Sequence, residues 1–358
     1  MAKCRILIIG GGAAGFAAGI AAAKQADVTI VEHKEEPLKK LLLTGNGRCN
    51  FSNTGMTPEH FHGDRRIVEN VLKGFSVDDC LDFMNECGIE PLEVHYRFDG
   101  NGYFYPSTNR ASTVRDALMK RFSDLGGRTV TGERVLSLKK VSGCFTVETD
   151  RQLISADRII FACGSNAAPE TGSDSSIYPV LMSLGVSFHT YLPALTGITT
   201  EDIPDAAKGA RCEADVVLAG IDDGKEYGTE TGEVQFGRNY VSGIPVMQLS
   251  RYVSIGKKEA REMKLTIYPV KWSNTSVSPE DLPGIMELHC LGTRGFSFAQ
   301  CCSGGVAAED IVPETLEYRK EKGIYFAGEM IDIDGECGGY NLHFAFGSGK
   351  LAGEASVR

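Results

Sequence analysis

No C-x-x-C pair occurs among the eleven cysteines of this 358-residue chain, so neither a zinc ribbon nor a thioredoxin-type redox pair is written into it. The cysteines are odd in number and scattered, and no export or targeting segment is visible. That favours reduced thiols and a cytoplasmic setting over a disulfide framework. Cationic excess is missing too. A formal net charge of −10 argues against nucleic acid as the main partner and against adhesion to an anionic membrane. There is no internal repeat, no low-complexity tract, no metal-ligand cluster and no nucleophile-triad pattern. The longest apolar run, Ile6 to Ala23, is broken by Gly10, Gly11, Gly12 and Gly15. A buried strand feeding a buried helix explains it better than a membrane span or a signal peptide. A globular protein acting on a small molecule fits these absences, with its oligomeric state left open.

What is present begins with a nucleotide-binding start. Ile6 to Ile9 reads as a strand buried on both faces, and Asp27 to Glu32 as the parallel strand beside it. Between them Gly10, Gly12 and Gly15 form G-x-G-x-x-G. The first permits a tight turn, the second lets backbone approach a pyrophosphate, and the third lets helix and strand pack closely. The helix start offers unpaired N–H groups and a positive dipole end to phosphates. Glu32 ends the second strand, 17 positions after Gly15, where an acid accepts hydrogen bonds from a ribose diol.

Both NAD and FAD carry that ribose. No second G-x-G-x-x-G follows, however, and a glycine-rich segment closes the chain. A cofactor held by protein at both its ends favours FAD. A second glycine-punctuated loop, "KKLLLTGNGRCNFSN" (Lys39 to Asn53), then reads as the middle of one long site, following the same cofactor toward its flavin.

Helices are expected near residues 76–88 and over 111–127. Short strands over 128–165 form a meander that returns to the main sheet through Arg158 to Ala162. From about Gly185 to Phe298 helical periodicity fades and strand-like runs such as "CEADVVLAGI" and "MKLTIYPVKW" stand between turns. The expected fold class is α/β: a Rossmann-like FAD-binding domain, with a parallel sheet and a β-meander, carrying an inserted β-rich domain. The FAD-binding domain takes 1–184 and 303–358, and the substrate or cap insert takes 185–302, with a shortened helical segment near 271–296.

The chain resembles the HI0933-like flavoproteins, a group that includes bile-acid-dehydroxylation and aminoacetone-oxidase-type enzymes. Two segments carry the resemblance: Lys39 to Asn53, and "YFAGEMIDIDGECGGYNLHFAFGSGKLAG" (Tyr325 to Gly353). "GYFYPSTNRAS" and "SGGV" support it more weakly. Members usually carry a helical element between a strand like "MKLTIYPV" and the "SGGV" turn, and here little chain remains for one. "FACGS" stands where A-T-G is commoner, so Ala162, Cys163 and Gly164 keep the glycine but lose a hydroxyl.

The resemblance implies that Gly10, Gly12, Ala13, Ala14 and Gly15 hold the pyrophosphate, with Glu32 and its neighbour His33 at the adenosine ribose. Lys40, Leu41, Thr44, Gly45, Arg48, Cys49 and Asn50 would run beside the pyrophosphate, ribityl chain and isoalloxazine. Val135 would meet adenine through its backbone. Gly328 and Glu329 would lie at the ribitol. Gly338, Gly339, Tyr340 and Asn341 would present a helix start to the flavin's N1/O2 edge.

Several side chains have a plainer alternative. Arg48 reads also as a surface cation, Cys49 as a small buried residue, Cys337 as a reactive thiol or a packed one, and His343 as a core histidine. Cys301 and Cys302 read as packing thiols. Tyr103 and Tyr105 either line a cavity or pack.

The implied activity is that of an FAD-dependent oxidoreductase exchanging a hydride between bound flavin and a small, largely apolar organic substrate. NAD(P)H or O₂ would be the second partner, a reductase being favoured over an oxidase. NAD(P)H would enter as a transient co-substrate in turn with the substrate. The alternative is a flavin-binding regulatory or RNA-linked protein without turnover. No catalytic residue is assigned.

Overall fold

Strand β1 (Arg5–Ile9) is buried along all but its first residue, as expected of Ile-Leu-Ile-Ile between two covered faces. Helix α1 (Ala13–Ala23) and strand β2 (Asp27–Val31) follow. Helix α2 (Ala111–Asp124), strands β3 (Arg128–Val130), β4 (Arg158–Phe161) and β5 (Ile324–Phe326), and helix α3 (Tyr340–Ser356) complete the frame. The sheet order is β5-β4-β1-β2-β3, and all four pairings are parallel. The computed structural model describes residues 3–96, 100–201, 203–259, 261–275 and 277–358.

Small side chains set how closely the layers approach. A β-carbon on Gly19 would fall 2.8 Å from the Phe122 ring of α2 and 3.1 Å from Ile30 of β2. Phe122 packs edge-on against Phe16 at 5.7 Å. Gly349 and Gly353 of α3 lie on the backbone carbonyls of Ala14 and Ala18 of α1, with no room for a β-carbon at either. Because 349 pairs with 14 and 353 with 18, the two helices run parallel.

Smaller sheets accompany this frame. The meander of Val135–Val141, Cys144–Thr149 and Leu153–Ala156 is antiparallel. Ser52–Asn53, Gly102–Pro106 and Pro91–His95 form a second, and Phe61–Gly63 pairs with Ile333–Gly335.

The chain divides into two compact units: Met1–Ser165, Pro169–Thr190 and Gly304–Arg358 form one, Asn166–Ala168 and Tyr191–Ser303 the other. The second contains a closed barrel in the order Ile198–Thr200, Tyr240–Ser242, Glu226–Phe236, Arg211–Gly220, Met263–Ser273, Met286–Thr293. Burial along Arg211–Gly220 alternates residue by residue, as one inward face of a barrel strand requires.

One α-helix of this unit was not expected from the sequence. Ile244–Lys258 runs for 15 residues and buries Val246, Leu249 and Val253. Its stripe is completed by Ser250, Ser254 and Gly256, small or polar residues that blunt the apolar period. Between Met263–Ser273 and Met286–Thr293 the described residues contain one 3₁₀ turn, Pro279–Asp281.

Candidate cofactor site

The three motif glycines do three different things. Gly10, at φ +108°, donates its N–H to the Val31 carbonyl at 2.8 Å, and a β-carbon there would strike the Ala162 carbonyl. Gly15 lies on the Gly10 carbonyl itself, again with no room for a side chain. Gly12 caps α1 in extended geometry, and a β-carbon on it would meet nothing within 4 Å. Two glycines therefore serve packing, and the third keeps space open where a helix start points.

Glu32 is buried and already engaged. One carboxylate oxygen accepts the Gly11 N–H at 2.8 Å, and the other accepts the Lys34 N–H at 2.8 Å. His33 lies 3.3 Å from Glu32 through Nδ1 and 3.3 Å from Asp174 through Nε2. Val135 is buried at the start of the meander, where the ladder to Thr149 slips register. Cys163 donates its thiol to the Ile9 carbonyl at 3.1 Å, and burial pushes that thiol up, so it stays protonated.

Over Lys39 to Asn53 the backbone is unusual. Gly45, Asn46, Gly47 and Cys49 all have φ between +55° and +80°. Glycine and asparagine tolerate that region, whereas a buried cysteine at φ +62° is strained and is held there by its surroundings. Thr44 bonds back to the Leu41 carbonyl at 2.7 Å, and Leu41 is buried. Cys49 is fully buried, which pushes its thiol up to about 12.

This loop meets the start of α3. Gly338 (φ +124°) and Gly339 (φ +96°) form the turn into the helix. A β-carbon on Gly339 would lie 2.9 Å from Asn50 Oδ1 and 3.0 Å from the Ser52 backbone. Asn53 donates from Nδ2 to the Gly338 carbonyl at 2.9 Å. Asn50 Oδ1 and Asn53 Oδ1 are both buried without a hydrogen-bond partner among the described residues. Two orphaned acceptors in one joint are what a bound donor edge would satisfy.

Nearer α1, Gly328 (φ +73°) takes Ser348 Oγ on its N–H at 2.9 Å and leaves only 2.7 Å between a would-be β-carbon and Ala14. Beside it Lys40 and Glu329, 289 positions apart in sequence, form an ion pair at 2.6 Å.

The register of the parallel helices gives the site its length. Ala14 is the second residue of α1, and the Gly349 packed on it is the tenth of α3. At 1.5 Å per residue the α3 start projects about 12 Å beyond the α1 start in the same direction. Two positive helix ends so spaced suit a pyrophosphate and, farther along, the anion-accumulating edge of a flavin. The residues present therefore fit a flavin dinucleotide.

Several expected site residues have partners of their own. Tyr340 is buried, stacked on His60 at 4.8 Å and edge-on to Phe61 at 5.7 Å. Asn341 exchanges hydrogen bonds with the backbone of Gly335 at 2.9 and 2.7 Å, so its side chain braces the loop. Arg48 donates to the Gly45 carbonyl at 3.1 Å and to the Tyr96 hydroxyl at 3.2 Å, and it lies 4.7 Å from the Tyr105 ring. It is anchored rather than a loose surface cation.

His343 is a satisfied core histidine. It is fully buried, with Nδ1 2.8 Å from Ser52 Oγ and Nε2 2.8 Å from the Phe75 carbonyl. Cys337 has its thiol pushed up to about 11, first by burial and then by the Glu336 carboxylate. The residues that sequence reading passed over are Tyr96, Asn53, Ser348 and Asp174. Asn53 closes the quoted loop motif, and that was the available signal.

The sequence profile of the HI0933-like protein Rossmann domain matches residues 4–355. A 3-dehydro-bile acid delta(4,6)-reductase of Clostridium scindens is 34% identical, over 99% of both chains. That alignment spans 411 positions against 358 residues here, so the relative carries segments this chain lacks. A ribosomal RNA dihydrouridine synthase of Escherichia coli is 24% identical over 97% of this chain and 96% of its own. Among solved structures, a 3-ketosteroid-delta4-(5alpha)-dehydrogenase from Rhodococcus jostii superposes with a TM-score of 0.53 at 15% identity. It covers all of this chain and 98% of its own. A flavocytochrome c3 fumarate reductase gives 0.55 at 14% identity, over 99% of this chain and 78% of that one. These two likenesses concern the fold.

Proposed function

The chain belongs to the HI0933-like family of flavin oxidoreductases, and from that premise we propose that it reduces a carbon–carbon double bond conjugated to a carbonyl in a small polycyclic ketone, with FAD as resident cofactor. The observation that carries this reading is the pair of parallel helix starts, offset by about 12 Å along their axes and glycine-lined at both ends. The relative at 34% identity, matched end to end, supplies the substrate class. FAD supplies the hydride chemistry when bound.

The chain's own residues bind and orient. The Gly12 turn and α1 start take the pyrophosphate, with Gly10, Ala13, Ala14 and Gly15 forming its bed. Glu32, His33 and the Val135 backbone line the adenosine end, beside Ala162, Cys163 and Gly164. Lys40, Leu41, Thr44, Gly328 and Glu329 border the ribityl chain, the Lys40–Glu329 pair placing a matched charge there. Gly45, Arg48, Cys49, Asn50, Gly338 and Gly339 shape the flavin end, with the α3 start at Tyr340 and Asn341. Asn50 Oδ1 and Asn53 Oδ1 accept from the flavin's donor edge. NAD(P)H serves as the electron donor, entering in turn with the substrate.

The 24% relative names a second substrate, and a uridine base is also a C=C conjugated to a carbonyl. The net charge of −10 and the lower identity place it behind the small molecule. The test is a visible spectrum of the purified protein, then anaerobic reduction with NADH or NADPH. Reoxidation is next followed with a 3-oxo-4,6-diene bile acid, with unmodified ribosomal RNA, and with O₂. Bound FAD reoxidised fastest by the bile acid is expected. Reoxidation by RNA or O₂ alone overturns the substrate assignment, and a protein that takes up no FAD overturns the whole reading.

A further inference from the structure

The strands Pro91–His95 and Gly102–Pro106 pair so that Val94 faces Tyr103 and Leu92 faces Tyr105. Tyr103 and Tyr105, two apart, share one face of their strand. Tyr96 follows the partner strand and packs edge-on against Tyr103 at 5.5 Å. This tyrosine cluster spans the two loops of the cofactor site. The Tyr103 ring lies 2.9 Å from where a β-carbon on Gly338 would be, and the Tyr105 ring 3.4 Å from where one on Gly45 would be.

The Tyr96 hydroxyl is 3.2 Å from Arg48 Nη1 and 3.3 Å from the Tyr105 hydroxyl. Tyr105 is buried, whereas Tyr96 is exposed. Burial and the Tyr96 contact push the Tyr105 phenol up, so it is the harder of the two to ionise. Burial raises the Tyr96 phenol too, but hydrogen bonds from Tyr105 and Arg48, with the Arg48 charge, outweigh it and leave it lowered. The Tyr96 oxygen thus accepts from Arg48, and either phenol of the Tyr96–Tyr105 pair can donate to the other; once Tyr96 gives up its proton, both Arg48 and Tyr105 donate to its oxygen.

We propose that Tyr96 is the proton donor in the reduction, with Arg48 and Tyr105 holding its oxygen ready to carry the negative charge. The assignment rests on the enone-reductase reading above. The β carbon of the enone takes a hydride from reduced FAD, which is thereby oxidised by two electrons. The π pair of the C=C bond shifts toward the carbonyl. The Tyr96 O–H bond breaks, and its proton goes to the α carbon, giving the saturated ketone. The phenolate left on Tyr96 is stabilised by the Arg48 and Tyr105 N–H and O–H groups and regains its proton from water. The group is a general acid of the usual kind, worth about 10²–10⁴ in rate.

Two measurements on the full-length FAD-loaded protein test this. In the first, phenolate absorbance is followed with pH for wild type, Tyr96→Phe and Arg48→Gln. One tyrosine should titrate below the others, vanish in Tyr96→Phe and move up in Arg48→Gln. In the second, dithionite-reduced protein is mixed with the 3-oxo-4,6-diene bile acid. Tyr96→Phe should reoxidise roughly 10²-fold more slowly or worse, while FAD retention and reduction by dithionite stay as in wild type. An unchanged reoxidation rate, or a Tyr96 that titrates with the ordinary tyrosines, overturns the proposal. If wild type itself is not reoxidised by the enone, the substrate assignment fails, and the phenolate titration alone decides whether Tyr96 is the poised acid.

Discussion

Replacing His343 with glutamine is expected to remove a specific acid sensitivity from the cofactor site. His343 joins α3 to the second glycine loop, accepting from Ser52 Oγ and donating to the Phe75 carbonyl. Its pKa falls to about 4, chiefly through burial, with the Phe75 bond and the Asp79 charge opposing. In the unfolded chain the ring has a pKa of about 6.5. The folded value is therefore the lower one. Above about pH 6.5 both states are neutral and the full stability is present. Between about 6.5 and 4 the unfolded chain takes up a proton that the native chain refuses, so stability falls as pH falls. At 1.36 kcal/mol per unit, the loss across that window is roughly 3 kcal/mol, a substantial part of the 5–15 kcal/mol typical of a domain.

Glutamine offers one acceptor and one donor, so both hydrogen bonds have a counterpart, but it does not titrate. Urea midpoints of wild type and His343→Gln, taken across the window by circular dichroism, should diverge progressively on acidification. The many carboxylates common to both proteins cancel in the difference. Parallel curves would refute the argument, because the histidine would then be protonated in the native state or already neutral in the unfolded one.

Gly12→Ala should leave the urea midpoint nearly unchanged and weaken FAD retention by about tenfold or more, since its β-carbon enters only open space. Gly15→Ala should do the reverse, costing about 1–3 kcal/mol of stability as the Gly10 carbonyl is displaced. Equal effects of the two on both readouts would contradict the division of labour. Cys49 and Cys337, with thiols pushed up to about 12 and about 11, should resist alkylation in the folded protein near pH ~8 and react once it is denatured. Rapid mass-spectrometric labelling of Cys337 in the native state would show a thiolate that this structure does not support.

Local patterns in the sequence announce the parallel sheet, the glycine turn into α1 and the two motifs at the far end, because each is written within a few residues. Gly10, Gly12 and Gly15 are visible as a set, but their separate duties depend on Ala162 and on the chain's return through β4. The strain at Cys49 is hidden in the same way: asparagine and glycine signal a left-handed turn, cysteine does not. Barrel closure depends on the registers of six strands together, and the Ile244–Lys258 helix hides its period behind two serines and a glycine.

Tyr96 shows best why a site is harder to read than a fold. It belongs to no motif, and its chemistry comes from Arg48, 48 positions earlier, and Tyr105, nine positions later. Yet "PLEVHY" and "GYFYP" carry opposed strand patterns, and pairing them places Tyr103 and Tyr105 on one face beside the end of the other strand. Arg48 then acquires a reason to be an arginine. Its planar guanidinium covers the Tyr105 ring and still directs separate N–H groups to the Gly45 carbonyl and the Tyr96 oxygen. A lysine, with one compact ammonium, could not hold the loop, stack on the ring and support the phenol at once.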